Sequence, residues 1–366
     1  MGKIRVGVVG VGNCFAGLVQ GIEYYRRVKS EKIGLMHERI GGYGIEDIEF
    51  VSAFDVGENK VNKPLSEAIY AEPNMVKWMD EVSCCEGTVV KESPILDGVG
   101  VYVENMIKPV RQVKKVEQLE KEAIEELESS KTRILINYLP VGSQRATEFW
   151  ANIALKTNCA FINCIPVFIA SSKEWETKFR KKSLPIIGDD VKGVLGATIT
   201  HRTLVKLCLD RGVVIDRTYQ LNVGGNTDFA NMLERGRLKS KKLSKMEAVQ
   251  SLLPTEMRLS EGDIHIGPTD YIPFLGNTKL AFIMVEGRMF ANVPFKMELK
   301  LEVDDKANSA GIVVDALRCA QLALDKGIGG NLTYASACFM KHPPIQMRDE
   351  EAKRMLDEWI SKLSIA

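Results

Sequence analysis

The chain of 366 residues has room for a nucleotide-binding unit together with a second, inserted or appended one. Its 45% hydrophobic and 27% charged residues are the balance of an ordinary soluble globular protein, which argues against a disordered or membrane-embedded chain. A formal net charge of +1 gives no global attraction to nucleic acid or acidic lipid, so any basic site must be local.

In chain order, residues 1–12 are apolar but too short and too Gly-rich for a secretory segment or a membrane span, and predict a strand over 4–9. Further short apolar strands are predicted over 49–54, 133–137, 160–165 and 185–187, with helices over 18–26, 112–129 and 144–156. This alternation predicts a parallel sheet with helices on both faces. From 189 to 304 the character changes to α+β, with strands over 218–223 and 279–285 around a lysine-rich stretch. Helices over 307–326 and 349–363 then return to the first unit. The expected division is therefore 1–188 plus 305–366 for nucleotide binding and 189–304 for catalysis and assembly. The eight cysteines lack CxxC spacing and point to reduced thiols in a cytoplasmic protein, and the four histidines lack zinc-ligand spacing.

Gly10, Gly12, Asn13 and Cys14 follow the first strand and precede a helical pattern, where a dinucleotide fold places its phosphate turn. Gly10 permits the tight turn, Gly12 the close approach of backbone to pyrophosphate, and the helix amides bind the anion. Phe15 stands where GxGxxG has its third glycine, with Ala16 and Gly17 as the small residues. Asp55 ends the second strand as a candidate ribose ligand and favours NAD over NADP. An insertion over 28–47 accounts for a spacing longer than the usual roughly 20 residues. Asn137 and Asn163 stand at strand ends, where each either caps a turn or reaches the cofactor.

The stretch from Asn222 through Gly225, Asn226 and Asp228 precedes Lys239, Lys241, Lys242 and Lys245. Ser244 and Glu247 read as a capping box that starts a helix at Lys245. The lysines are either a solvated face or a phosphate trap at a helix N-terminus. The neighbouring Gly-Gly-Asn-Thr-Asp turn favours the second, and crowding in a closed cleft would lower an ammonium pKa toward use as an acid or base.

Gly10-Val-Gly-Asn-Cys, Gly188-Asp189-Asp190, Asn222-Val-Gly-Gly-Asn-Thr-Asp228, Ser240-Lys241-Lys-Leu-Ser-Lys245, Leu275-Gly-Asn-Thr-Lys279, Asp304-Asp305 and Phe339-Met-Lys341 together resemble the shorter, prokaryotic-type myo-inositol-1-phosphate synthases. The resemblance spans nearly the whole chain. It implies an α/β fold: a Rossmann-like doubly wound parallel sheet with an inserted α+β catalytic and tetramerisation domain. It also implies an NAD-using isomerase that turns D-glucose 6-phosphate into 1L-myo-inositol 1-phosphate for inositol and phospholipid biosynthesis. No nucleic-acid or membrane partner is expected.

By the same resemblance Lys241, helped by Asp190, moves a proton at the carbon 5 oxygen, and Lys245 holds the phosphate end. Lys279 and Lys341 stabilise enolate and aldehyde oxygens. Asp228 joins the catalytic set, Asp189 the cofactor set, and Gly225 and Asn226 the substrate set. Asp305 matches an acidic position near the nicotinamide, where a divalent or monovalent cation is implied; the family varies in this requirement, and the metal's identity stays open. Gly193 departs from larger relatives, which carry Ser in a phosphate loop there. Other readings are an NAD-dependent sugar-phosphate or amino-acid dehydrogenase, which would accumulate NADH, and an NAD-sensing binding protein, which would not need the four lysines.

Overall fold

The computed structural model describes residues 2–28 and 33–365, with side chains for all of these except 239, 241, 242 and 365. Strand β1 (Ile4–Val9) is buried on both faces, as its run of Ile and Val requires of a central parallel strand. It pairs in parallel with β2 (Ile48–Asp55), which pairs with β3 (Val90–Glu92). On its other side follow β4 (Ile134–Asn137), β5 (Ala160–Asn163) and β6 (Pro185–Ile187), all parallel. The second sheet holds β7 (Val214–Gly224), β8 (Ile264–Tyr271), β9 (Thr278–Arg288) and β10 (Pro294–Asp304). Strand β11 (Gly330–Asn331) returns to the edge of the first.

The first sheet has the order β11-β6-β5-β4-β1-β2-β3. Its strand order reverses between β1 and β4, the switch point of a doubly wound nucleotide-binding sheet. One core lies on one face, with Phe15, Leu18, Val313, Leu317 and Phe339 among its members. A second core, including Phe54, Trp150, Phe161 and Phe179, lies on the other. The helix Asp305–Asp325 carries the chain from the second sheet back onto the first. Asp304 caps it by accepting from the amides of Lys306 and Ala307, each at 2.9 Å.

Several predicted boundaries shift for identifiable reasons. The predicted 18–26 helix starts at Asn13, directly after the phosphate turn. The predicted 112–129 helix starts at Val116, because the side chain of Gln112 bonds Ser93 and Ile95 and holds its own segment along the neighbouring chain. Strand β10 escaped prediction because its outward positions, Lys296, Glu298, Lys300 and Glu302, are charged and exposed.

The capping box at Ser244 and Glu247 is corrected. The helix runs over Lys239–Gln250, so Ser244 lies inside it and its hydroxyl is drawn to Asp190. The second sheet packs one face on this helix and on Ala197–Asp210, around Val205, Ile215, Val249, Ile266 and Val285. No helix among the described residues is long and apolar enough to cross a membrane.

Candidate active site

A cleft opens beyond the carboxyl ends of β1 and β4, lined by Gly10, Asp55 and Tyr138, and continues to Gln220 and Lys279 of the second sheet. At one end lies the phosphate turn. Gly10 has φ +92°, and a Cβ there would stand 2.8 Å from the Tyr138 carbonyl oxygen, so both the conformation and the space require glycine. The helix Asn13–Arg27 begins with no side-chain cap and no acidic residue in its first turn, leaving its leading amides available to an anion.

Phe15 does not face that anion site. It packs edge-on against Phe50, with ring centroids 4.8 Å apart. Gly17 provides the close packing, since a Cβ there would lie 3.1 Å from Cβ of Lys306 on the returning helix. The side chain of Asn13 accepts from the Met75 amide at 2.6 Å and donates to the Thr227 hydroxyl at 3.5 Å.

Asp55 stands beside the turn, and three backbone amides hold its carboxylate: Val11 on Oδ2 at 2.6 Å, and Val56 and Gly57 on Oδ1, each at 2.8 Å. The buried Lys60, which was not singled out from the sequence, donates to the Val11 carbonyl at 2.8 Å and to Asn74 at 3.1 Å. Burial pulls its pKa down, against the opposing charge of Asp55.

Asn137, Asn163 and Asp189 are not brought to the cleft wall. They form a buried chain beneath it: Asn137 Nδ2 donates to Asn163 Oδ1 at 2.9 Å, and Asn163 Nδ2 to Asp189 Oδ1 at 2.7 Å. Asn137 also accepts from the Leu139 amide, as the turn-capping reading requires. Asp189 accepts further bonds from the amides of Ala170 and Ser171 and from the Ser171 hydroxyl. Burial pushes its carboxyl up to about 6, with these bonds and that from Asn163 opposing. The network orders the loops that carry Tyr138, Pro140, Cys164 and Pro166 into the wall. With their polar atoms so engaged, these three residues act as supports.

At the other end, Asp190, Asp228, Lys245, Lys279, Asp305 and Lys341 all line the cleft. Asp190 has a left-handed backbone, φ +62°, which turns its side chain between two distant segments. Its Oδ1 accepts from Lys341 Nζ at 2.9 Å and its Oδ2 from the Ser244 hydroxyl at 2.8 Å. Lys245, the next residue on the same helix, is 4% exposed. The side chain of Lys241 lies outside the described residues; its backbone is in the Lys239–Gln250 helix.

Gly225 and Asn226 shape the turn that presents Asp228 and do not line the cleft. A Cβ on Gly225 would meet the Ile272 carbonyl oxygen at 2.4 Å, and Asn226 Oδ1 accepts from the Asp228 amide at 3.0 Å. At Gly193 the space a side chain would fill is taken by Asn308, whose Oδ1 would lie 2.5 Å from such a Cβ. Asn308 also brackets Leu195, bonding both its amide and its carbonyl at 2.7 Å.

Asp305 accepts from Lys279 Nζ at 3.1 Å on Oδ1 and from Lys306 Nζ at 2.9 Å on Oδ2. Burial would raise its carboxyl, but the two ammonium groups hold it well below the usual carboxylate range. Lys306 was missed in the sequence, where the only signal was its place directly after the Asp304-Asp305 pair.

The family model for myo-inositol-1-phosphate synthase matches residues 196–306. Inositol-3-phosphate synthase of Mycolicibacterium smegmatis is 46% identical over 363 residues, 98% of each chain. The enzyme of that name from Corynebacterium glutamicum is 46% identical over 367 residues, again 98% of each. Among solved structures, a myo-inositol-1-phosphate synthase-related protein from Thermotoga maritima superposes with a TM-score of 0.82 at 23% identity, over 98% of both chains. That last likeness carries the fold alone; the 46% identity to both synthases over 98% of each chain carries the family, and the chain belongs to the myo-inositol-1-phosphate synthases.

Proposed function

We propose that the chain converts D-glucose 6-phosphate to 1L-myo-inositol 1-phosphate with NAD as a catalytic cofactor, an isomerisation of the intramolecular lyase type. The observation that carries this reading is the convergence of Lys245, Lys279 and Lys341 with Asp190, Asp228 and Asp305 at the switch-point crevice of a nucleotide-binding sheet. When bound, NAD supplies a reversible hydride acceptor for carbon 5, so that oxidation, enolisation, aldol closure and re-reduction leave no net redox change.

The residues present fit that cofactor. Gly10 and Gly12 admit the pyrophosphate to the open amides at Asn13 and Cys14, and Asp55 sits at the strand end suited to the adenosine ribose. Lys241 belongs to the same helix as Ser244, which bonds Asp190, and with Asp190 it moves the proton at the carbon 5 oxygen. Lys245 holds the phosphate end. Lys279 and Lys341, fixed by Asp305 and Asp190, hold donors against enolate and aldehyde oxygens, where an excluded, pre-organised site makes each donor count most.

The division into 1–188 plus 305–366 and 189–304 is supported by the sheets, whose strands come from 4–187 with 330–331 and from 214–304. We place the enzyme in the cytoplasm as a homotetramer. What supports assembly is the outer face of the second sheet, where register pairs Leu221 with Phe282 and Val223 with Leu280, and all four side chains keep part of their surface exposed. Light scattering of the purified chain is expected to give four times the chain mass; a monomer at micromolar concentration would overturn this assembly.

Asp55→Ala is expected to weaken NAD binding at least about tenfold, since hydrogen bonds to a charged group are worth roughly 1.5–3 kcal/mol. Calorimetric titration measures it, and unchanged affinity would move the adenosine site elsewhere. The function itself is tested by incubation with glucose 6-phosphate and substoichiometric NAD. Inositol phosphate without NADH accumulation is the expected product; stoichiometric NADH absorbance would instead make the protein a sugar-phosphate dehydrogenase.

A further inference from the structure

The cation implied beside Asp305 does not fit the residues around it. An added ion needs a carboxylate oxygen open to it and further oxygen, nitrogen or sulfur donors. At Asp305 each carboxylate oxygen is already occupied by an ammonium group, Lys279 Nζ 3.1 Å from Oδ1 and Lys306 Nζ 2.9 Å from Oδ2. Among the described residues no group of three or more His, Cys, Asp or Glu side chains is arranged to hold a metal. An ion entering here would face two ammonium groups of its own sign in a site with little water to screen them.

Lys306 is itself built in as an ion would be. Its side chain is 2% exposed, and Nζ donates to Asp305 and, at 3.5 Å, to the sulfur of Cys14 at the start of the phosphate-turn helix. Its backbone is held by the Asp304 cap and by the close crossing at Gly17, where a Cβ would lie 3.1 Å from the Lys306 Cβ. The charge therefore sits between the carboxylate and the nucleotide turn, at the wall of the cleft. Burial alone would pull this lysine down, but the carboxylate of Asp305, which it also bonds, outweighs burial and raises its pKa.

We propose that Lys306 supplies, as a permanent part of the chain, the positive charge that a bound monovalent or divalent cation would bring to Asp305, so that cyclisation needs no added cation. This rests on the synthase reading. Lys306 is a positioning residue: it acts through Asp305, keeping that carboxylate ionised and turned toward Lys279.

The test uses the full-length enzyme freed of metals on a chelating resin and assayed with tetramethylammonium as the only counter-cation. Wild type is expected to form inositol phosphate at the same rate with and without potassium, ammonium, magnesium or zinc. Lys306→Ala, which opens the space and leaves Asp305 half-paired, is expected to lose at least about tenfold in tetramethylammonium and to recover in millimolar potassium or ammonium. Its melting temperature should rise saturably with potassium, while that of wild type does not. A wild-type rate that collapses on cation removal and returns with one ion overturns the proposal, as does a Lys306→Ala enzyme fully active without cations. If that variant fails to fold, the wild-type comparison decides. If no inositol phosphate forms in any buffer, the synthase reading fails, and the melting curves, which need no turnover, still judge the role of Lys306.

Discussion

Lys279→Met is expected to lower inositol phosphate formation by about 10²- to 10³-fold, the loss usual when one fixed donor to a developing oxyanion is removed. Lys279 lies at the start of β9, where Asn277 and Gly276 bring the chain into register against Val303 and Gly224. Its ammonium meets Asp305 at the cleft, so methionine keeps the stem and the register and removes only the charge and its donors. Asp305 retains Lys306 as partner, so the carboxylate is not left alone. Bound NAD and melting temperature should therefore stay near wild type while turnover falls. Lys241→Met carries the same expectation. Product analysis beside a thermal scan checks both: full activity in either variant removes that lysine from the chemistry, and full activity in both moves the sugar-phosphate site.

Asp349→Ala should produce the largest loss of stability. Arg202 Nε donates to its Oδ2 at 2.6 Å and Lys192 Nζ to its Oδ1 at 3.1 Å, and the side chains of both cations are at most 1% exposed. Arg202 also bonds the carbonyls of Ala248 and Met347, joining the lysine-bearing helix to the start of the final helix, Asp349–Ile365. Truncating the carboxylate leaves two buried cations sharing no counter-charge. Breaking such a pair costs about 3–5 kcal/mol, and the low end applies because the Asp349 side chain is 35% exposed.

Burial raises the Asp349 carboxyl, but Lys192 and then Arg202 outweigh this and hold it below its usual value. Its contribution is therefore present above the unfolded carboxylate pKa of about 3.9 and lost as pH falls through the depressed folded value. Denaturant titration of wild type and variant measures the difference, which should shrink at low pH. An unchanged midpoint would mean that this joint carries no stability.

Much of the nucleotide unit was legible because its signals are local. Strands at 4–9 and 185–187 and the helix at 144–156 coincide with Ile4–Val9, Pro185–Ile187 and Gln144–Lys156, since short apolar runs, broken in the first only by Arg5, and a clear 3.6-residue period leave little choice. The lysine-rich segment misled for the same reason. Ser244 and Glu247 have capping-box spacing, yet the hydroxyl of Ser244 is claimed by a carboxylate 54 residues away in the chain. A local rule has no view of such a competitor.

By itself the sequence determined the family and the place of the glycine turn after the first strand, because motif order and spacing specify these directly, and it singled out Asp190, Asp228, Lys245, Lys279, Asp305 and Lys341, which the fold brings to one cleft, while missing Lys306. Only the tertiary structure decided how they are paired. Asp190 meets Lys341 across 151 residues, and Cys14 meets Lys306 across 292. Asn137, Asn163 and Asp189 turn out to brace the cleft from beneath. These outcomes depend on the strand order β6-β5-β4-β1 and on how closely the Asp305–Asp325 helix crosses Gly17. Both are set by side-chain packing between distant segments, which no local periodicity encodes.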